Sequence, residues 1–336
     1  MIRYVALKAH VDGAPQESDF LFEEMPRPAL EDGQFLAENI YVSVDPGMRS
    51  RLSPGASYAP PIAPGGLIDG FTIGRVVASK NLAFAEGQWV TMGGGWATHS
   101  LFGGRGFAIP LPDSDIPKSL YLGILGIPGM TSYFGLKRVG RFEEGDHVLV
   151  TSAAGPVGAT AGQLAKRWGA ASVVGIAGGP DKCAWLTEEA GFDAAIDYKA
   201  ENDLSAAIAA ALPKGIDILF DNVGNAMIER CLPLMRRGGR IVISGQVADY
   251  NVPLAQRDGV FNTGEFIGKR LLMQGLVVFD DMMQFPEAQL EMGGLIANGN
   301  LIYKEEIFEG LEALPGAFCG LFKGENFGRR LVKIGD

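Results

Sequence analysis

The run from Thr151 to Lys166, TSAAGPVGATAGQLAK, follows a short apolar stretch and opens a helical pattern. Within it, Ala153-Ala154-Gly155-Pro156-Val157-Gly158 keeps the spacing of a G-x-G-x-x-G turn, with alanine in the first slot. Gly155 lets the backbone approach a pyrophosphate, and Gly158 lets the helix pack closely on the strand before it. Pro156 and Val157 then open a helix whose N-terminus offers N–H groups and a partial positive charge to phosphates. The spacing alone is weak, because small-residue turns also serve ordinary packing. Its position after a strand and before a helix makes it a nucleotide site. The next strand says which nucleotide. An NAD site usually carries an acid about 20 residues on, at the strand end, for the ribose 2′-hydroxyl. Here the end reads VVGIAGGPDKC, with Ala177, Gly178 and Gly179 followed by Lys182. No carboxylate stands at the tip, the glycines leave room and a lysine follows, which suits a 2′-phosphate and so NADPH. Against this, Lys182 on a solvated helix face needs no ligand, and Asp181 beside it opposes a phosphate slightly.

Such a turn must be held by alternating strands and helices. Strand-like runs occur at His147–Thr151, Ser172–Ile176, Ala194–Asp197, Asp217–Phe220, Arg240–Ser244 and Leu271–Val278, with helical patterns between the first five. That alternation predicts βαβ units and an α/β, doubly wound parallel sheet of six strands. The first third differs, with β-branched runs bounded by Gly, Pro and Asn, and the tail returns to mixed character and ends in a strand-like RRLVKI. The expected division is a β-rich domain of 1–125 plus 298–336 and a dinucleotide-binding domain of 126–297.

The bulk numbers agree. A chain of 336 residues, 47% hydrophobic and 20% charged, is long enough for two cores. Its net charge of −10 argues against nucleic acid or an anionic membrane as the main partner. Cys183, Cys231 and Cys319 lie far apart without a C-x-x-C pair, which fits a reducing cytosol, and the N-terminus shows no signal-peptide stretch. A cytoplasmic protein is expected. Ser119–Leu136 carries no charge, yet Gly123, Gly126, Pro128 and Gly129 crowd its middle, so it reads as a buried helix and turn rather than a membrane span. Of the three histidines, His147 should begin a strand and His99 should sit in a turn, with His10 far from both; none reads as a ligand.

The stretches VSVDPGMRSRL, SAAGPVGATAGQLAK, DKCAWLTEEAGFDAAIDYK, FDNVG and YKEEIFEGLEALPGAFCGLFKGENFGRRLVKI together resemble the zinc-independent medium-chain dehydrogenase/reductases. Within these the chain is similar to the 2-alkenal, prostaglandin and curcumin reductase group, NADPH-dependent reducers of conjugated C=C bonds. The resemblance covers nearly the whole chain, in the family's order. It implies a Rossmann domain beside a GroES-like substrate domain. It also implies that Gly155, Pro156, Val157 and Gly158 hold the pyrophosphate, with Gly178, Lys182 and Tyr198 around the adenosine phosphate. Asn222 faces the cofactor from a strand end, and Ser244, Gly245 and Tyr250 run along the nicotinamide side. Leu276, Val277 and Val278 fix the carboxamide, Thr131 makes a polar contact to the nicotinamide end, and Asn326 is a late contact from the returning tail.

Zinc-dependent relatives hold a catalytic metal through Cys, His and an acid. This chain has GGLIDGFTIGRVV where a Gly-His-Glu is expected, and it lacks the cysteine cluster of a structural zinc; no metal is expected. Hydride then passes to the β-carbon of an α,β-unsaturated aldehyde or ketone, and hydrogen-bond donors must stabilise the enolate charge. The resemblance gives that role to the nicotinamide ribose 2′-hydroxyl and to Tyr250. A phenol with a pKa near 10 can donate at neutral pH without a shifted pKa. One departure stands out. The group commonly has DPYMR, and this chain has Asp45-Pro46-Gly47-Met48-Arg49, so Gly47 widens or relines the substrate pocket, with Tyr58 a partial substitute. Quinone reduction on the same fold, and NADPH binding without turnover, remain competing readings. A homodimer joined through the last Rossmann strand is also implied.

Overall fold

The computed structural model describes residues 1–54, 59–104 and 106–335; Tyr58 lies outside them. Two units emerge. The first comprises Met1–Leu122, Glu305–Asn326 and Arg330–Asp336, and the second Gly123–Lys304 with Phe327–Arg329. The sequence-based boundaries lie at 125/126 and 297/298, and the short return of Phe327–Arg329 to the second unit has no counterpart in them.

The first unit begins with β1 (Ile2–Leu7), β2 (Phe20–Met25), β3 (Phe35–Ser43), β4 (Thr72–Ser79), β5 (Trp89–Met92), β6 (His99–Phe102) and β7 (Ala108–Pro110). In the second unit α1 (Ile127–Phe134) precedes an alternating series: β8 (His147–Val150), α2 (Pro156–Arg167), β9 (Ser172–Ala177), α3 (Pro180–Glu188), β10 (Ala194–Asp197), α4 (Leu204–Ala211), β11 (Ile216–Asp221), α5 (Asn225–Cys231), β12 (Met235–Ile243), α6 (Gly264–Lys269), β13 (Leu272–Gly275) and α7 (Phe285–Ala297). The tail adds β14 (Glu305–Glu309), α8 (Ala313–Leu321) and β15 (Arg329–Lys333).

The tail is tied into the first unit by a sheet and a core. β15 pairs antiparallel with β3, in a seven-stranded sheet ordered β14-β15-β3-β4-β5-β7 with β6 also on β3, while β1 and β2 pair separately. Leu314, Phe318 and Leu321 of α8 are buried with Val5, Leu7, Phe20 and Trp96. Phe318 meets Trp96 edge-on at 5.7 Å between ring centroids, an arrangement aromatic quadrupoles favour.

The second unit is the parallel sheet that the alternation predicts. Its order, β10-β9-β8-β11-β12-β13, is the doubly wound one, with every pair parallel. All six residues of β11, IDILFD, are buried, as a central strand covered on both faces requires. β8 and β11 flank the point where strand order reverses, the usual ligand crevice of such sheets.

Three local expectations are corrected. The last strand stops at Gly275 instead of reaching Val278, because Gly275 already pairs with Ile243, the final residue of β12. Leu276 N–H makes one more bond to Ile243 O at 3.1 Å, and Val278 then opens a 3-10 helix to Gln284. β12 starts five positions earlier than the Arg240 start read from sequence, at Met235, because Gly238 takes a φ of +79° and lets the Arg-Arg-Gly-Gly stretch continue past an irregularity. His99 begins β6, opposite Glu38, rather than sitting in a turn. Its Nε2 accepts from Arg27 at 2.6 Å, which leaves Nδ1 to donate to Thr98 Oγ1 at 3.2 Å. Burial and the Arg27 charge both hold its pKa below the usual histidine value, so the ring is a neutral strand anchor. The charge-free Ser119–Leu136 stretch is a 3-10 turn and α1, and no helix among the described residues is long and apolar enough to cross a membrane.

Candidate functional site

The turn between β8 and α2 is built almost entirely from backbone. Ser152 adopts a φ of +50°, a left-handed conformation that few non-glycine residues take. Ala153 N–H bonds to Ile176 O at 2.9 Å, and Gly155 N–H to Ser152 O at 3.0 Å. Gly155 is the N-cap of α2, and no side chain caps the helix. Pro156 has no N–H, and Ala159 is the first to bond within the helix, to Gly155 O at 2.9 Å. The N–H groups of Val157 and Gly158 therefore face outward from the helix start, the arrangement that binds phosphate.

Close approach explains the small residues. A Cβ on Gly158 would stand 2.6 Å from Ser152 O and 2.8 Å from Ala153 Cα. One turn on, a Cβ on Gly162 would stand 1.9 Å from Phe192 Cζ, so the buried face of α2 needs a second glycine that motif spacing did not single out. Alanine fits in the first slot because Gly175 of β9 lies opposite it. There a Cβ would come within 2.8 Å of the Ala153 methyl.

Beside this turn the ends of β8 and β11 are bolted together. Thr151 Oγ1 donates to Asp221 Oδ1 at 2.7 Å and accepts from Asn222 N–H at 2.8 Å, while Asn222 Nδ2 donates to Thr151 O at 2.8 Å. Gly224 N–H donates to the second Asp221 oxygen at 2.8 Å. Asp221 is fully buried, and burial pushes its carboxyl up to about 6, with Thr151 and the amides of Gly224 and Val223 pulling the other way. Neither Thr151 nor Asp221 is visible as a site residue in the sequence; a buried polar pair at paired strand ends has no linear motif.

The loop after β12 hangs from the same place. Ser244 and Gly245 donate to Asp221 O at 2.8 and 3.3 Å, Val247 to Asn222 O at 3.2 Å and Ala248 to Val223 O at 3.0 Å. Tyr250 folds back on this loop, its phenol oxygen accepting from Gln246 N–H at 3.4 Å.

At the tip of β9, Gly178 is covered by the chain after β10. A Cβ there would lie 2.8 Å from Tyr198 Cε1 and 2.9 Å from Lys199 Cε. Lys182 lies in the first turns of α3, half-buried. No carboxylate side chain comes from residues 177–179. Asp197, at the end of β10, accepts from the N–H groups of Gly179 and Lys199 through one oxygen, at 2.8 and 3.0 Å.

The remaining residues are more scattered. Thr131 Oγ1 donates to Ile127 O of its own helix at 2.7 Å, whereas its neighbour Ser132 reaches Val157 O at 2.7 Å. Leu276 and Val277 leave the sheet edge and Val278 is buried. Asn326 belongs to the first unit, yet Phe327 and Gly328 directly after it belong to the second. Gly328 N–H bonds to Ala154 O of the phosphate turn at 2.9 Å, and Phe327 meets Trp185 of α3 edge-on at 5.6 Å. This brace across the turn is absent from the motif reading. Gly47 lies in the 3-10 turn Pro46–Arg51 of the first unit. There buried Arg49 donates to Val11 O and Gly13 O at 3.1 and 2.8 Å, pinning the turn to the N-terminal loop. Among the described residues no group of three or more His, Cys, Asp or Glu side chains could hold a metal.

A reversed-order parallel sheet with an uncapped glycine turn at its crevice, attached to a β-rich unit, defines a two-unit dinucleotide-binding oxidoreductase fold. Residues 3–109 match the N-terminal domain of oxidoreductase family and residues 156–292 the zinc-binding dehydrogenase family. The chain is 38% identical to the NADPH-dependent curcumin reductase of Escherichia coli over 98% of its own length and 95% of that protein's. To the NADP(+)-dependent 2-alkenal reductase of Nicotiana tabacum it is 38% identical, over 99% and 97% respectively. The crystal structure of CurA from Vibrio vulnificus in complex with NADPH superposes with a TM-score of 0.93, at 35% identity over 99% of both chains. The chain belongs to the medium-chain dehydrogenase/reductase family, in the group of these double-bond reductases.

Proposed function

We propose that this protein is an NADPH-dependent reductase of the conjugated C=C bond in α,β-unsaturated aldehydes and ketones. The observation that carries the reading is the tip of β9, a glycine cradle that a Cβ would fill, flanked by Tyr198 and Lys199 and lacking the acid that an NAD ribose calls for. With the outward N–H groups of Val157 and Gly158, these residues fit the cofactor's phosphates. The whole-length likeness to reductases named for NADPH supports the same conclusion.

When bound, NADPH supplies the hydride that adds to the substrate β-carbon. The turn Gly155–Gly158 holds the pyrophosphate, the backbone N–H groups of Val157 and Gly158 donating while Pro156 starts the helix, and Gly178, Lys182 and Tyr198 surround the 2′-phosphate. Asn222, Ser244 and Gly245, fixed to the ends of β11 and β12, line the nicotinamide side. Leu276, Val277 and Val278 orient the carboxamide, with Thr131 and Asn326 as further polar contacts. Tyr250 donates to the substrate carbonyl oxygen as enolate charge develops, in the place a metal would otherwise take. Gly47 and Tyr58 belong to the substrate pocket in this reading. So does a homodimer through the exposed outer edge of β13, where Met273, Gln274 and Gly275 meet solvent. A cytoplasmic location goes with three cysteines, none of them in a disulfide.

The test is NADPH oxidation with a 2-alkenal, an enone, a simple ketone and a quinone, each repeated with NADH. Saturated carbonyl product from the enal or enone with NADPH is the expected result. Turnover of the quinone alone assigns the protein to quinone reduction, and silence across the panel despite NADPH binding assigns it to binding without this chemistry.

A further inference from the structure

We propose that Lys199 is a second cationic determinant of 2′-phosphate recognition, and that Asp197 is the positioning residue that brings it there. The proposal rests on the NADPH reading above and adds two residues to it.

Three observations converge. The Lys199 side chain folds back from the end of β10 across the tip of β9, so that its Cε and the Tyr198 ring bound the space above Gly178. Its backbone is held by Asp197, whose Oδ1 accepts from both Lys199 N–H and Gly179 N–H. That single carboxylate oxygen clips the turn after β10 onto the turn after β9. The clip fixes the backbone from which the lysine reaches, so less freedom is lost when the side chain binds. Finally, the Lys199 side chain is exposed, and among the described residues no carboxylate pairs with its ammonium. A cation held against Gly178 at the tip of β9, without its own counter-ion, is suited to a dianionic phosphate ester on a ribose.

Asp197 also settles a question of charge. It is the acid hydrogen-bonded to the tip, through Gly179 N–H, and an acid at such a strand end would ordinarily favour a ribose hydroxyl. Here its Oδ1 accepts from two backbone amides, which ties the carboxylate to the loop. Asp181, in the first turn of α3, is exposed, and its repulsion is offset by Lys182 and Lys199 together.

The experiment is calorimetric titration with adenosine 2′,5′-bisphosphate and with 5′-AMP, which differ only in the 2′-phosphate. Lys199→Ala should weaken the bisphosphate about three- to tenfold, as expected for one partly exposed charge-assisted contact, and leave 5′-AMP unchanged. Lys199→Arg should retain the preference. Asp197→Ala should lower the ratio of the two affinities, and Asp197→Asn should restore it, because an amide oxygen still accepts both N–H groups. Melting curves of each variant separate these effects from unfolding. If Lys199→Ala leaves the ratio unchanged while Lys182→Ala lowers it, the proposal is wrong and the NADPH reading stands. If the unmodified protein shows no preference for the bisphosphate, both fall.

Discussion

The inner end of the parallel sheet, at β8 and β11, and its outer end, at β9 and β10, are made by different means. At the inner end backbone meets backbone: Gly158 lies against the Ser152 carbonyl, and Thr151 and Asn222 lock two strand ends around a buried carboxylate. At the outer end, by contrast, the space over Gly178 is bounded by the flexible ends of Tyr198 and Lys199. The first arrangement cannot yield without moving a helix, whereas the second can yield by rotating a side chain. A dinucleotide site needs both. In the proposed reading the rigid end holds what all dinucleotides share, and the adjustable end meets the one group by which they differ.

That contrast can be broken or sharpened by substitution. The largest expected effect belongs to Tyr250, whose loop hangs from the inner end. Tyr250→Phe should lower kcat on an enone about 100-fold, a typical general-acid contribution, with NADPH affinity unchanged by fluorescence titration. Unchanged turnover would assign the proton donor to solvent or to the ribose. Next, Gly158→Ala puts a methyl against backbone atoms, so α2 must shift. A loss of about 1–3 kcal/mol in denaturant unfolding is expected, with NADPH and NADH weakened alike. Selective loss of NADPH alone would place the specificity at the wrong end of the sheet.

Lys182→Ala tests the outer end. It should raise the NADPH dissociation constant about tenfold while leaving NADH and the melting temperature where they were. Equal weakening of both cofactors would sink its assignment to the 2′-phosphate.

The smallest effect is a pH dependence at Asp221. Its folded pKa, about 6, lies above the ordinary carboxylate value of 3.8, so the folded state holds the proton more tightly than the unfolded chain. The group therefore destabilises the fold above pH 6, and that penalty is relieved as pH falls through 6 towards the unfolded value. Between pH 7 and 5 the protein should gain about 1 kcal/mol relative to Asp221→Asn in paired unfolding curves. A gap that stays constant across this range would mean that the inner carboxylate is not strained by burial.

Both ends were partly legible in the linear order of residues, for separate reasons. The turn could be read because its requirements are local: a strand, small residues at fixed spacing and a helix start all lie within one stretch of chain. The missing acid at Ala177–Gly179 could be read for the same reason. The exact end of β13 could not, because it depends on where β12 stops. His99 could not, because its strand exists only against Glu38. Thr151 with Asp221, Gly162 against Phe192 and Gly328 on Ala154 each join residues from distant parts of the chain, and no spacing rule connects such pairs.

The sequence by itself determined the alternation of strand and helix, the glycine turn and the absence of an acid at the end of the next strand. These follow from backbone freedom and side-chain type, which each residue carries with it. Only the tertiary structure decided which polar groups are paired out of reach of solvent, which glycines are forced by a neighbour and which side chains pack over Gly178. Burial and approach are properties of two segments at once, and the chain acquires them only when the sheet closes.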